Sequence, residues 1–230
     1  RVSRGLGDVY KRQEYTLTVS FRLKEDMSWA DAGHEVAFGQ KIYKKIPAFH
    51  ASEKPIRVVH GKVNIGVKGK DFDCLFSMLS GGLVSYRYAG KEMIEKIPMP
   101  NFWRAPVDND NGSMAPARYA QWKIASMYIS HRNGGMFDNV PTKVEEKDNT
   151  VTVTYTYFMP TTPASKCQVA YTVFGDGTIE TKLMYDPVEG LPDMPEFGMM
   201  FWFNADYDNL TWYGMGPDET YACLLYTSPS

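Results

Sequence analysis

The run Lys166-Cys-Gln-Val-Ala-Tyr-Thr-Val-Phe174, followed by Gly175-Asp-Gly177 and then Thr178-Ile-Glu-Thr-Lys-Leu-Met-Tyr185, decides the fold. Two stretches rich in β-branched and aromatic residues flank a short turn whose glycines accept positive φ, and that combination predicts an antiparallel hairpin. The same pattern repeats outward. Strand signals cover 62–67, 72–79, 83–88, 91–94, 142–146, 151–158, 198–204 and 209–213, separated by turn residues such as Gly81-Gly82, Ala89-Gly90 and Asp148-Asn149. Many short strands joined by such turns predict an all-β protein built as an antiparallel sandwich. Only residues 113–128 read as a helix, with Ser113 as its cap and Pro116 in its first turn.

Further toward the N-terminus, Tyr15-Thr-Leu-Thr-Val-Ser-Phe-Arg-Leu23 alternates strictly, which marks a half-buried strand. A second alternating run covers 34–42, so the two predict an antiparallel pair. Two strands alone are marginal, and residues 14 to about 50 therefore read as the end of a sandwich whose other strands lie upstream. Residues 46–56, with Pro47 and Pro55, read as a linker. The first thirteen residues and residues 223–230 continue no periodicity of their neighbours and resemble translated adapter sequence, so both are expected to be foreign to the protein. The compartment stays open, cytoplasm and periplasm both fitting.

The 230 residues are 43% hydrophobic and 14% aromatic, enough to build a sizeable core. With 25 basic and 27 acidic residues the formal charge is −2, so net charge favours neither nucleic acid nor an anionic membrane as a partner. Discarding residues 1–13 makes the remainder more acidic, because Arg1, Arg4, Lys11 and Arg12 leave with only Asp8. Cys74, Cys167 and Cys223 form no pair at zinc-ligand spacing and are too few for a disulfide framework.

Asn101-Phe-Trp-Arg-Ala-Pro-Val-Asp-Asn-Asp-Asn-Gly112 is the stretch richest in chemistry. Carboxylates, amides and arginine bind hydroxyls in pairs, while aromatic faces pack on the C–H face of a pyranose, so this loop suits sugars. A calcium loop with Gly112 as its sixth position would need an acid at Val107 and a glutamate at Arg118, and both fail. The competing reading is structural: Asp108, Asn109 and Asp110 cap backbone groups and Arg104 forms an internal ion pair. A second stretch, Trp212-Tyr-Gly-Met-Gly-Pro-Asp-Glu-Thr-Tyr221, lacks the third glycine and the helix of a phosphate cradle. The aromatic pairs Trp202-Phe203 and Trp212-Tyr213 sit at strand spacing and read as core. His34, His50, His60 and His131 lie in no nucleophile context, and the spacing of two catalytic carboxylates is not legible in one dimension.

These two stretches resemble the arginine-alanine-proline/aspartate-asparagine-aspartate and glycine-x-glycine-proline-x-glutamate-x-tyrosine signatures of the LacZ-type β-galactosidases, glycoside hydrolase family 2. Ser28-Trp-Ala-Asp-Ala-Gly-His34 is similar to the end of that family's second immunoglobulin-like domain, so the resemblance covers about 14–222. It departs at Asn111, where the family has an aliphatic residue, and in stopping before the family's final strands.

The resemblance implies that 14–58 ends an immunoglobulin-like sandwich. It likewise implies that 62–222 is the incomplete N-terminal part of a large sandwich similar to the galactose mutarotase fold. It further implies retaining hydrolysis of terminal β-galactosides by two glutamates in a barrel upstream, so that no catalytic residue lies in this segment. Magnesium and sodium are implied for the whole enzyme, with no metal held here. The residues implied to border the substrate are Arg104, Asp108, Asn109, Asp110, Gly112 and Ser113, within or beside a mobile loop over 112–118. The implied partners are a β-galactoside, the remaining domains of the same chain and further copies of it. The alternatives are a non-catalytic carbohydrate-binding or architectural sandwich and, last, an aldose epimerase, for which only His131 lies well inside the sandwich.

Overall fold

The computed structural model describes residues 16–42, 54–132 and 143–211. These fall into two compact units, one containing the described residues 16–42 and 209–211 and the other 54–208.

In the first unit, strand β1 (Thr16–Arg22) pairs antiparallel with β2 (Glu35–Ile42), as the alternating runs predict. Leu23 and Gly33 close the connection, with the Leu23 N–H donating to the His34 carbonyl at 2.9 Å and the Gly33 N–H to the Leu23 carbonyl at 2.9 Å. Gly33 has φ +91°, a conformation that favours glycine. The register places Val19 opposite Gly39 and Ser20 opposite Phe38. Cross-strand neighbours share a face, so Val19 and Phe21 project to one side of the ribbon and Phe38 to the other.

The second unit begins with a five-stranded antiparallel sheet in sequential order, β3 (Arg57–His60), β4 (Asn64–Lys68), β5 (Phe72–Ser77), β6 (Gly82–Tyr88) and β7 (Lys91–Glu92). Strand β8 (Lys96–Asn101) follows, then three short helices: α1 (Asp108–Gly112), α2 (Ala115–Arg118) and α3 (Ala120–Tyr128). A four-stranded antiparallel sheet is made of β9 (Lys143–Lys147), β10 (Thr150–Met159), β11 (Ser165–Phe174) and β12 (Ile179–Tyr185), and β13 (Gly198–Trp202) returns to pair with β8. The hairpin of β11 and β12 turns at Gly175-Asp176-Gly177 as the sequence predicts, with Gly177 at φ +91°.

The two larger sheets face each other. Strand β10 buries Val151, Val153, Tyr155, Tyr157 and Met159 at every second position and leaves the intervening threonines half-buried. From the opposite sheet Ile65, Val67, Phe72, Cys74 and Phe76 complete the same core, where the rings of Phe76 and Tyr171 lie 5.7 Å apart. The buried tyrosines each satisfy their hydroxyl on a backbone carbonyl: Tyr155 donates to Gly82, Tyr157 to Gly81 and Tyr171 to Pro98. This is the antiparallel sandwich that the turn spacing predicts.

Three expectations need correction. The helix read over 113–128 is broken into α2 and α3, and Ser113 is not its N-cap but the C-cap of α1. Pro116 separates α1 from α2, because its ring would clash with the carbonyl four residues back, and the further break falls at Tyr119, between α2 and α3. Strands β3 and β8 were not expected. Strand β8 contains Pro98 and Pro100, which offer no N–H, and it pairs with β13 alone. The third correction is at 209–211, which form no strand, while 212–213 lie outside the described residues.

Candidate functional site

The acidic stretch folds into α1 rather than an open loop. Asp108 and Asp110 both occupy its first turn, where carboxylates favour the exposed N–H groups and the positive end of the peptide dipoles. Asp110 is the centre of the arrangement. Its Oδ2 accepts from Arg104 Nη1 at 2.6 Å and from the Val107 N–H at 2.9 Å, and its Oδ1 accepts from Arg104 Nη2 at 3.1 Å. Arg104 Nη1 also donates to the Ala105 carbonyl at 3.2 Å. The Arg104 guanidinium and the Val107 N–H hold the Asp110 carboxyl below the usual carboxylate range. Asp110 is therefore ionised near neutrality, which suits it to binding and positioning and not to donating a proton to a glycosidic oxygen.

Of the six residues singled out by sequence, the structure joins three by side-chain bonds. Arg104 pairs with Asp110, and the Ser113 hydroxyl donates to the Asp110 carbonyl at 3.1 Å. Asp108, Asn109 and Gly112 are exposed on α1, as is Ser113. The internal ion pair of the structural reading is thus present, with Asp110 capping the Val107 N–H. Beyond α1 the chain turns through Met114, at φ +56°, a left-handed conformation that is uncommon outside glycine.

A small cavity of about 50 Å³ lies beneath this turn, lined by Trp103, Arg104, Asp110, Pro116, Tyr119 and Pro195. Trp103 also borders a larger cleft of about 250 Å³ between β8, β13 and α3, which includes Asn101, Lys123, Met127, Met200 and Trp202. Sequence reasoning missed this cleft. Trp202 reads as core from its strand position, and nothing in one dimension brings Lys123 and Met127 of α3 to β13.

The three described histidines each have neighbours within the fold. His34 meets the Trp29 ring edge-on at 5.4 Å, and His60 Nε2 lies 2.6 Å from Glu146 Oε1. The His131 ring packs against Gly81 and bonds the Leu79 backbone, and burial pushes its pKa down. No ion pair joins His131 to a carboxylate among the described residues. Nor do any three His, Cys, Asp or Glu side chains among the described residues gather closely enough to hold a metal ion. The Trp212–Tyr221 stretch and His50 lie outside the described residues.

Fold and site together define an all-β sandwich module with one structured acidic turn and an adjoining aromatic cleft. The chain belongs to the β-galactosidase small chain family. The family described as "Beta galactosidase small chain" matches residues 68–222, and that described as "Beta-galactosidase, domain 4" matches residues 3–43, beginning within the segment expected to be foreign. A β-galactosidase of Clostridium acetobutylicum is 41% identical over 218 residues, covering 94% of this chain and 23% of that protein. One from Halalkalibacterium halodurans is 42% identical over 214 residues, covering 91% and 20%. A β-galactosidase small subunit of Latilactobacillus sakei is 34% identical over 182 residues, covering 74% and 57%. The chain thus spans about a fifth to a quarter of the two longer relatives.

Proposed function

We propose that this chain acts as part of a β-galactosidase that hydrolyses terminal non-reducing β-D-galactose with retention, supplying active-site wall and carbohydrate contacts while the catalytic glutamates lie in another part of the enzyme. The observation that carries this reading is the tandem match of domain 4 and small chain, with 41% identity across 94% of the chain to a protein named β-galactosidase. Residues 14–58 and 62–222 are the two domains of this reading. The rest of the enzyme and a second copy are its partners.

The chemistry of the acidic turn supports the wall role. The pair of Arg104 and Asp110 ties α1 to the segment before it, beside a cavity that Trp103 and Tyr119 also line, and the exposed Asp108, Asn109 and Ser113 offer acceptors and donors to sugar hydroxyls. Gly112 ends α1 next to the Met114 turn, where a loop closing on substrate would bend. In this reading the ligands of magnesium and sodium belong to the barrel-bearing part.

The test is an assay with a chromogenic β-galactoside. The purified chain alone should give no turnover, and the same chain supplied with a barrel-bearing β-galactosidase large chain should restore it, with the β-anomer of galactose released first. Turnover by the chain alone overturns the assignment of the glutamates. Failure of every barrel-bearing partner to gain activity favours the non-catalytic binding module instead.

A further inference from the structure

We infer that the cleft between β8, β13 and α3 is a non-catalytic subsite for one neutral pyranose ring, with the indoles of Trp103 and Trp202 as its platform. The inference rests on the galactoside reading above, and it adds a sugar contact outside the acidic turn. Its volume, about 250 Å³, falls just below the range of roughly 300–1,000 Å³ that holds drug-sized ligands, which leaves room for a single ring.

The lining is largely apolar with a few polar groups, the usual make-up of a small-molecule site. Trp103, Trp202 and the methionines give apolar surface for the C–H face of a ring, while Asn101, Lys123 and Ser126 bring polar groups to the same cleft. The opposite side of β13 provides the contrast: Phe201 and Phe203 stack there at 6.3 Å, exposed.

The platform is also held in place before any ligand arrives. The Asn101 side-chain amide donates to the Trp103 carbonyl at 2.8 Å, and the Phe102 N–H donates to Ser126 Oγ at 2.8 Å, which itself donates to the Trp122 carbonyl at 2.9 Å. The backbone on both sides of Trp103 is therefore tied to β8 and α3. Trp202 is flanked by the Lys96 ammonium, 5.8 Å from its ring centroid. Preorganised aromatic surface of this kind lowers the ordering cost of binding. Because Trp103 borders both cavities, a ring in the cleft lies next to the turn held by Arg104 and Asp110.

The experiment is a titration of the intact 230-residue chain, carrying ¹³C-methyl methionine, with methyl β-D-galactopyranoside. Saturable shifts at the Met99, Met127 and Met200 methyls are expected, with none from galactitol, which has the hydroxyls but no ring. Trp202→Ala should weaken binding by about tenfold or more. Lys123→Ala, at an exposed helix position, should weaken it severalfold while leaving the other methionine signals in place. Absence of saturable shifts from the folded chain overturns the inference, as do equal shifts with galactitol or unchanged affinity in both variants. Since the readout is binding by this chain alone, it can fail while the galactosidase assay succeeds, and the reverse.

Discussion

Asp110 accepts both terminal nitrogens of Arg104, one on each carboxylate oxygen, at 2.6 and 3.1 Å. The fork of the guanidinium matches the carboxylate plane, a geometry that lysine cannot reproduce. The same carboxylate caps α1 through the Val107 N–H, so one side chain both orients an arginine and begins a helix.

Asp110→Asn should lower the thermal midpoint of the chain, and the deficit should depend on pH. The folded carboxyl titrates below its ordinary value of about 3.9, so its contribution is fully present above that value and is lost as pH falls through the lower, folded value. Thermal melts of both proteins should differ most near neutrality and converge as pH drops below about 4. A constant difference down to strong acid counts against the ion pair as the cause.

Gly112→Ala should leave the fold intact. Gly112 has no positive φ, and a Cβ added there meets nothing within 4 Å. Alanine is the better helix former, so the stability change should be neutral to favourable by about 0.5 kcal/mol. Calorimetry on the chain measures this. Any change in galactoside turnover in the assembled enzyme would then come from loop closure or substrate contact.

Gly81→Ala and Gly90→Ala should separate strain from collision. Both glycines have positive φ, +73° and +81°, but a Cβ on Gly81 would lie 2.2 Å from His131 Cγ while Gly90 faces open space. Gly90→Ala should cost about 1 kcal/mol from backbone strain, and Gly81→Ala clearly more. Denaturant midpoints for the two variants test the order.

Tyr157→Phe should destabilise by about 1 kcal/mol, because the buried Gly81 carbonyl loses the hydroxyl that donates to it. Chemical unfolding with an unchanged denaturant slope would localise the loss to the native state.

Cys74 and Cys167 should resist thiol reagents in the native chain. Both are buried, and burial pushes the Cys167 thiol up to about 12 and Cys74 higher still, so almost no thiolate exists at neutral pH. Mass spectrometry after timed labelling should find both modified only under unfolding conditions.

The strands of the sandwich were legible where side chains alternate and glycine turns intervene. Val151 to Phe158 and the hairpin through Gly175-Asp-Gly177 carry their pairing in local pattern, because period two and positive φ are properties of neighbouring residues. Strand β8 was hidden by Pro98 and Pro100, whose missing N–H groups argue against a strand until a partner is found that does not need them. The helical segment was half legible: Pro116 signalled a helix start, but no residue of low helix preference marks the break at Tyr119 or the left-handed turn at Met114.

By itself, the sequence determined the all-β class, the positions of most turns, and the residue types of the acidic stretch, since each follows from patterns a few residues long. Tertiary structure alone decided that Asp110 and not Asp108 takes the arginine, that His131 is pressed against Gly81, and that Lys123 and Met127 meet Trp103 and Trp202 across a cleft. Those relations join residues as many as 79 positions apart, as Lys123 and Trp202 are. Such distances are closed by two sheets burying a common apolar core, and by no preference of the residues that end up in contact.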